Sequence, residues 1–109
     1  MKATRDGRRV RLNLPVEIIV FNDDHSIAAQ SEGRLHDLSR SGCGFHHNGN
    51  LPVGNRVELR IRLTETLAQK LNKPELKAQG AIIRSIPERS GFFISVRFAS
   101  VRKTAKTKR

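Results

Sequence analysis

Residues 56–63, RVELRIRL, alternate without a fault. Val57, Leu59, Ile61 and Leu63 point one way; Arg56, Glu58, Arg60 and Arg62 point the other. With a period of two, only an extended strand gathers all four apolar side chains on one face. FFISVRF, residues 92–98, obeys the same rule with Phe92, Ile94, Val96 and Phe98. A single strand cannot cover its own apolar face, so such segments must close a core together. That requirement governs everything else in the chain.

The other segments supply the partners. Val10, Leu12 and Leu14 alternate with Arg9, Arg11 and Asn13, and Pro15 then leads into VEIIVF, residues 16–21. NDDHS (22–26) is a cluster of residues whose side chains bond their own backbone, which marks a turn. A second strand is predicted from Ile27 to Leu38 and a short third through GFHH, residues 44–47. NGNLPVGN (48–55) reads as a loop. Beyond residue 63, TETLAQKLN (64–72) changes period: Leu67, Ala68 and Leu71 stand at helical spacing, Thr64 can cap and Pro74 follows. A helix of about two turns is predicted there. Strand character returns in ELKAQGAIIRSI (75–86), and PERSG (87–91) turns the chain into 92–98. Six short strands and one short helix predict an all-β domain, a small six-stranded antiparallel barrel.

A chain of 109 residues holds one modest core. Its single cysteine, Cys43, excludes an intramolecular disulfide. No apolar run approaches the ~18 residues that span a bilayer, and none resembles a signal-peptide core, so a cytoplasmic domain is expected. The net charge of +11 is uneven: residues 1–11 carry +4, residues 102–109 carry +5, and only +2 is left between. The predicted organisation is therefore a basic arm (1–11), a barrel (12–99) and a basic, disordered tail (100–109). Basic ends suit an anionic partner such as a nucleotide, a nucleic acid or an acidic membrane.

Catalytic patterns are scarce. No glycine-rich loop ends in Lys-Ser or Lys-Thr. His36, Cys43, His46 and His47 are zinc-ligand types within a dozen residues, but no CxxC or HExxH spacing accompanies them. Adjacent His46 and His47 would also face opposite sides of a strand. No metal and no enzymatic activity is expected, and Cys43 reads as a small buried hydrophobe.

Binding chemistry is better supplied. Arg5 and Arg9 bracket Gly7 in an R-x-x-x-R pattern just before the first strand. On an extended arm their guanidiniums stand about 13 Å apart, enough to grip two ends of a compact ligand. The planar guanidinium bonds phosphate oxygens or a guanine Hoogsteen edge and can stack on a base. HDLSRSG, residues 36–42, supplies the complement. At period two Asp37 and Ser39 leave one face while Leu38 enters the core. A carboxylate accepts the N1–H and N2–H₂ donors of guanine, a hydroxyl donates to phosphate or base, and Gly42 permits positive φ and close approach. A ligand carrying guanine and phosphate together fits both halves; a side-chain turn ending a strand is the other reading of the heptapeptide.

R-x-x-x-R followed by D-x-S-x-x-G resembles the PilZ domain, the bacterial receptor for cyclic di-GMP. The matching residues are Arg5 and Arg9, then Asp37, Ser39 and Gly42. NLPVEI (13–18), LPVGNRVELRIRL (51–63) and ISVRF (94–98) are similar to that family's strands, so the resemblance covers about residues 5–98. It implies a six-stranded split barrel whose flexible arm wraps a cyclic di-GMP ligand onto the barrel surface. It further implies that Arg5 and Arg9 clamp guanines and phosphates, Asp37 reads a guanine edge, Ser39 donates a hydrogen bond and Gly42 allows approach. Arg8, Arg11 and Arg40 are supporting charge. Two departures stand out. Many members carry a helix after the last strand, where this chain has SVRKTAKTKR, and segment 64–74 is longer than a minimal strand connection.

The function expected is that of a non-enzymatic, cytoplasmic second-messenger receptor, without a cofactor, that signals to an effector protein by changing a surface. Two alternatives are a small-barrel nucleic-acid-binding protein using its basic arms, and a PilZ-fold protein adaptor that binds no ligand. The first is short of stacking aromatics: the chain has no Trp, no Tyr and five Phe. Phe92 and Phe98 face the core in the predicted strand, which makes Phe93 the one candidate platform.

Overall fold

A computed structural model of the chain describes residues 10–99. The elements follow the order β1 (Val10–Phe21), β2 (Ile27–Leu38), β3 (Gly42–His47), β4 (Arg56–Arg62), α1 (Glu65–Leu71), β5 (Glu75–Glu88) and β6 (Gly91–Phe98). All strand pairs are antiparallel. They close a barrel in the order β1-β2-β3-β6-β5-β4, with β4 returning to β1. Closure gives every strand two neighbours, although residues 27–33 of β2 run past β3 and residues 82–88 of β5 run past β4. β1 begins at Val10, inside the segment expected as an arm, and residues 1–9 and 100–109, with Arg5, Arg8 and Arg9, lie outside the described residues.

The interior is built by alternation. Val16, Ile18 and Val20 of β1 stand opposite Ile61, Leu59 and Val57 of β4. Leu35, Phe45 and Ile94 continue the layer across β2, β3 and β6 in one register row. Phe45, Ile18, Leu59 and Ile94 are wholly buried. Each such side chain contributes about 1.5–3 kcal/mol by leaving water. Cys43 is buried in the same cluster. Pro15 sits within β1 and pairs with Arg34, so the two apolar runs flanking it form one strand.

Helix α1 joins β4 to β5. The Thr64 side chain accepts from the Leu67 amide at 3.2 Å, and Asn72 ends the helix in the left-handed region at φ 58°. Leu67, with Leu63 and Leu76 on either side of the helix, packs against the core. The insert thus covers part of one barrel end. Beside it a cavity of about 640 Å³ opens at that same end, lined by Leu38, Ser39, Ile61, Leu76 and Phe98 among others. Among the described residues no helix is long and apolar enough to cross a membrane.

Candidate functional site on the outer face of β2, β3 and β6

Asp37 reaches the outer surface because β2 slips by one residue beside it. Leu35 pairs with Phe45, but Asp37 pairs with Gly44, so His36 is an extra residue on β2. On its other side β2 changes register against β1 over the same stretch, between Arg11 and Leu14. Strict alternation from buried Leu35 would turn Asp37 inward. The bulge reverses the phase, sends Asp37 outward and lets Leu38 pack against the core.

Two register rows then cross the outer face. One runs Arg11, Asp37, Gly44, Ser95, Arg84 over β1, β2, β3, β6 and β5. Its neighbour runs Arg34, His46, Phe93, Ile86 over β2, β3, β6 and β5. Partners in a register row share a face, so these side chains form one surface. Arg11 and Arg84 are exposed and flank the carboxylate row at its two ends.

Gly44 is the pivot of that surface. A Cβ placed there would meet Phe93 Cζ at 2.4 Å, Phe93 Cε2 at 2.9 Å and Asp37 Oδ2 at 3.4 Å. The Phe93 ring therefore lies across the β3 backbone, next to the carboxylate, in space that only glycine leaves open. His36 and His46 stand around it. Ring centroids are 5.2 Å apart for His36–His46, 5.6 Å for His36–Phe93 and 5.2 Å for His46–Phe93, with interplanar angles of 85°, 84° and 69°. His46 Nδ1 is 2.9 Å from Glu88 Oε2.

The remaining motif residues form the β2–β3 turn. Ser39 lies just beyond β2, is 9% exposed and does not stand beside Asp37 as a strand residue, which corrects the same-face reading. Its amide donates to the Gly42 carbonyl at 2.8 Å, and its hydroxyl lies 3.3 Å from that carbonyl. The Ser41 amide donates to Ser39 Oγ at 3.3 Å. The strand ends at Leu38 because the hydroxyl competes for backbone partners. Gly42 is not in the positive-φ region. A Cβ there would lie 2.2 Å from the Val96 carbonyl oxygen, so the approach that Gly42 permits here is that of β6. The turn is tied down once more by the Phe98 amide, which donates to the Ser41 carbonyl at 2.9 Å. Arg40 is exposed at the tip.

The structure thus brings Asp37, Phe93 and Arg11 onto one outer face, with Ser39 and Arg40 in the turn at its end and Gly42 opening β3. His36, His46 and Gly44 are additions that the sequence reading did not place in the site. Gly44 stands between core-facing Cys43 and Phe45, opposite Ser95 and diagonal to Phe93, and its sequence signal is a residue without a side chain at an outward strand position. Cys43 points into the core while His36 and His46 lie outside, so these zinc-ligand types do not converge. His47 instead bonds Ser31 Oγ at 2.7 Å and the Gly49 carbonyl at 2.8 Å. Among the described residues no His, Cys, Asp and Glu group has a metal-holding arrangement.

The sequence profile of the PilZ domain family matches residues 3–108, nearly the whole chain. The chain belongs to the PilZ domain family. Solved structures agree on the barrel. The PilZ domain of CeSA from a cellulose-synthesizing bacterium superposes with a TM-score of 0.59 at 20% identity, over 88% of this chain and 84% of that one. The Bacillus subtilis inhibitor of motility, MotI/DgrA, gives 0.68 at 12% identity, over 94% of this chain but 46% of its own length. The PilZ domain of YcgR from Escherichia coli, solved with c-di-GMP, gives 0.54 at 18% identity, over 91% and 82%. A search of curated proteins finds no significant match. The β2–β3 turn of this PilZ domain carries the intact D-x-S-x-x-G, and its R-x-x-x-R lies in residues 5–9, inside the family match.

Proposed function

We propose that this PilZ domain is a cyclic di-GMP receptor without enzymatic activity, whose ligand is held between the arm of residues 1–9 and the outer face of β2, β3 and β6. The observation that carries the reading is the outward Asp37, placed by the His36 bulge beside Gly44 and opposite Arg11. A basic chain has no need of a carboxylate to bind phosphate. It needs one to accept the N1–H and N2–H₂ donors of guanine. The arm residues Arg5 and Arg9 supply the charge for two phosphates and can cover the bases, with Arg8, Arg11 and Arg40 raising the local positive potential. Ser39 and Gly42 fix the turn that frames the site, and the Ser39 hydroxyl, one residue past β2, is a hydrogen-bond donor beside it.

Because β1 starts at Val10 and pairs there with Leu38, the arm enters the barrel next to the motif turn. Binding orders the arm over the face, and the ordered arm changes the surface offered to an effector protein. The test is calorimetric titration of cyclic di-GMP into the full chain and into Arg9→Ala and Asp37→Ala variants. Saturable binding by the wild type, lost in both variants with their unfolding transitions unchanged, supports the reading. Undiminished binding by both variants sinks the site assignment. No binding by the wild type favours the protein-adaptor alternative.

A further inference from the structure

We propose that Phe93 is the surface on which a purine base of the ligand stacks, and that His36 and His46 are walls facing the edge of that base. The inference rests on the cyclic di-GMP reading and deepens it.

Three observations converge. The first is position: the Phe93 ring crosses Gly44 at the point where the Asp37 carboxylate stands, so an aromatic face and a guanine-reading acceptor are neighbours. They come from β6 and β2 and meet only because β3 lies between them. The second is rigidity. Edge-to-face packing among Phe93, His36 and His46 holds each ring against the other two, and the Glu88 carboxylate fixes His46 through Nδ1. A surface already ordered before the ligand arrives loses less freedom on binding. The third is extent. Ile86, paired with Phe93 on the far side from His46, is 43% exposed and widens the apolar floor.

A purine matches this arrangement on two counts. Its flat face stacks on an aromatic ring, an interaction open to every base. Its edge carries N7 and O6 acceptors or N–H donors, and the imidazole nitrogens at the walls can donate or accept according to tautomer. A phosphate group alone uses none of these features.

The experiment measures cyclic di-GMP affinity by calorimetry on the full chain for wild type, Phe93→Leu, Phe93→Trp and His46→Ala, with thermal unfolding of each. Leucine keeps apolar bulk over Gly44 but has no ring face. We expect Phe93→Leu to weaken binding roughly five- to 150-fold, the size of one base–aromatic stack, and Phe93→Trp to hold wild-type affinity. His46→Ala, at a side chain 45% exposed, should weaken binding several-fold with its unfolding midpoint kept. Wild-type affinity in Phe93→Leu overturns the stacking assignment while leaving the receptor reading intact. Should Phe93→Leu prove unstable, unchanged affinity in His46→Ala overturns the proposal instead. A wild type that binds no cyclic di-GMP brings down the receptor reading and this inference together.

Discussion

Two outer faces of the same barrel use charge in opposite ways. Across β2, β1, β4 and β5 runs the row Glu32, Glu17, Arg60, Lys77, in which acids stand beside acids and bases beside bases but the two pairs meet in the middle. Arg60 also donates to Glu58 at 3.0 Å, and that hydrogen bond is the first cause of the raised guanidinium pKa. Arg60 is thus bonded to Glu58 and stands opposite Glu17, acid and base within one face. The face of β2, β3 and β6 is arranged differently. Its central row has a carboxylate, a glycine and a serine where the other has long charged chains, and its rings pack on one another over that glycine. The first face sets acids against bases across neighbouring strands; the second joins a carboxylate to a shallow, aromatic-lined surface, and it is there that the proposed ligand would sit.

The largest contrast should come from removing one acid on each face. Asp37→Ala should weaken cyclic di-GMP binding at least about thirtyfold, the scale of losing one partner of a hydrogen-bonded charged contact. Glu17→Ala should leave it unchanged, and equal effects in the two would erase the distinction. Next comes Gly42→Ala, whose methyl would stand 2.2 Å from the Val96 carbonyl oxygen. Forcing β3 and β6 apart should cost about 1–3 kcal/mol in a urea titration. Ser39→Ala follows, losing the turn bonds from its hydroxyl at about 0.5–1.5 kcal/mol. A Ser39→Ala protein of full stability that binds poorly would show that the hydroxyl serves the ligand more than the turn.

Two smaller effects belong to regions outside the proposed site. Arg60→Ala should leave both affinity and the unfolding midpoint where they were, because its pair with Glu58 is exposed on the arginine side. In the β1–β2 turn the Ser26 hydroxyl and amide donate to Asp24 Oδ1 at 2.5 and 3.0 Å, and these bonds lower the Asp24 pKa. A carboxyl depressed in the folded state stabilises above its unfolded pKa, about 3.9, and that contribution fades as pH falls through the folded value. Ser26→Ala should therefore be slightly less stable than wild type at neutral pH and converge with it in acid. A gap that stays constant down to pH 2 would contradict this linkage.

Much of the barrel is legible from alternation alone. The predicted strand at 56–63 appears as Arg56–Arg62, the predicted helix at 64–72 as Glu65–Leu71 with the expected Thr64 cap, and the strand at 92–98 as Gly91–Phe98. Strand ends moved where glycines could continue an extended chain: β3 starts at Gly42 rather than at Gly44. The His36 bulge was not legible. One extra residue in a strand alters which face each neighbour takes without leaving any turn residue or break in composition. Asp37 was nonetheless expected outside, since Leu38 could be assigned to the core, but Ser39 was carried along by the same alternation and lies in the turn. The ring cluster was out of reach for a different reason. His36, His46 and Phe93 meet because β3 pairs with β6, a contact between strands that are not consecutive in the chain. Arg5 and Arg9, the clearest motif residues in the sequence, fall outside the described residues.

The most direct test of the two-face account is a residue-by-residue map of cyclic di-GMP binding by amide chemical shifts in ¹⁵N-labelled full-length protein. The account predicts large shifts at Arg11, Asp37–Gly44, His46 and Phe93–Ser95, with new or moved signals in residues 1–9, while Glu17, Glu32, Arg60 and Lys77 stay in place. Shifts concentrated along the charged row of β1 and β4, or spread evenly over both faces, would contradict it.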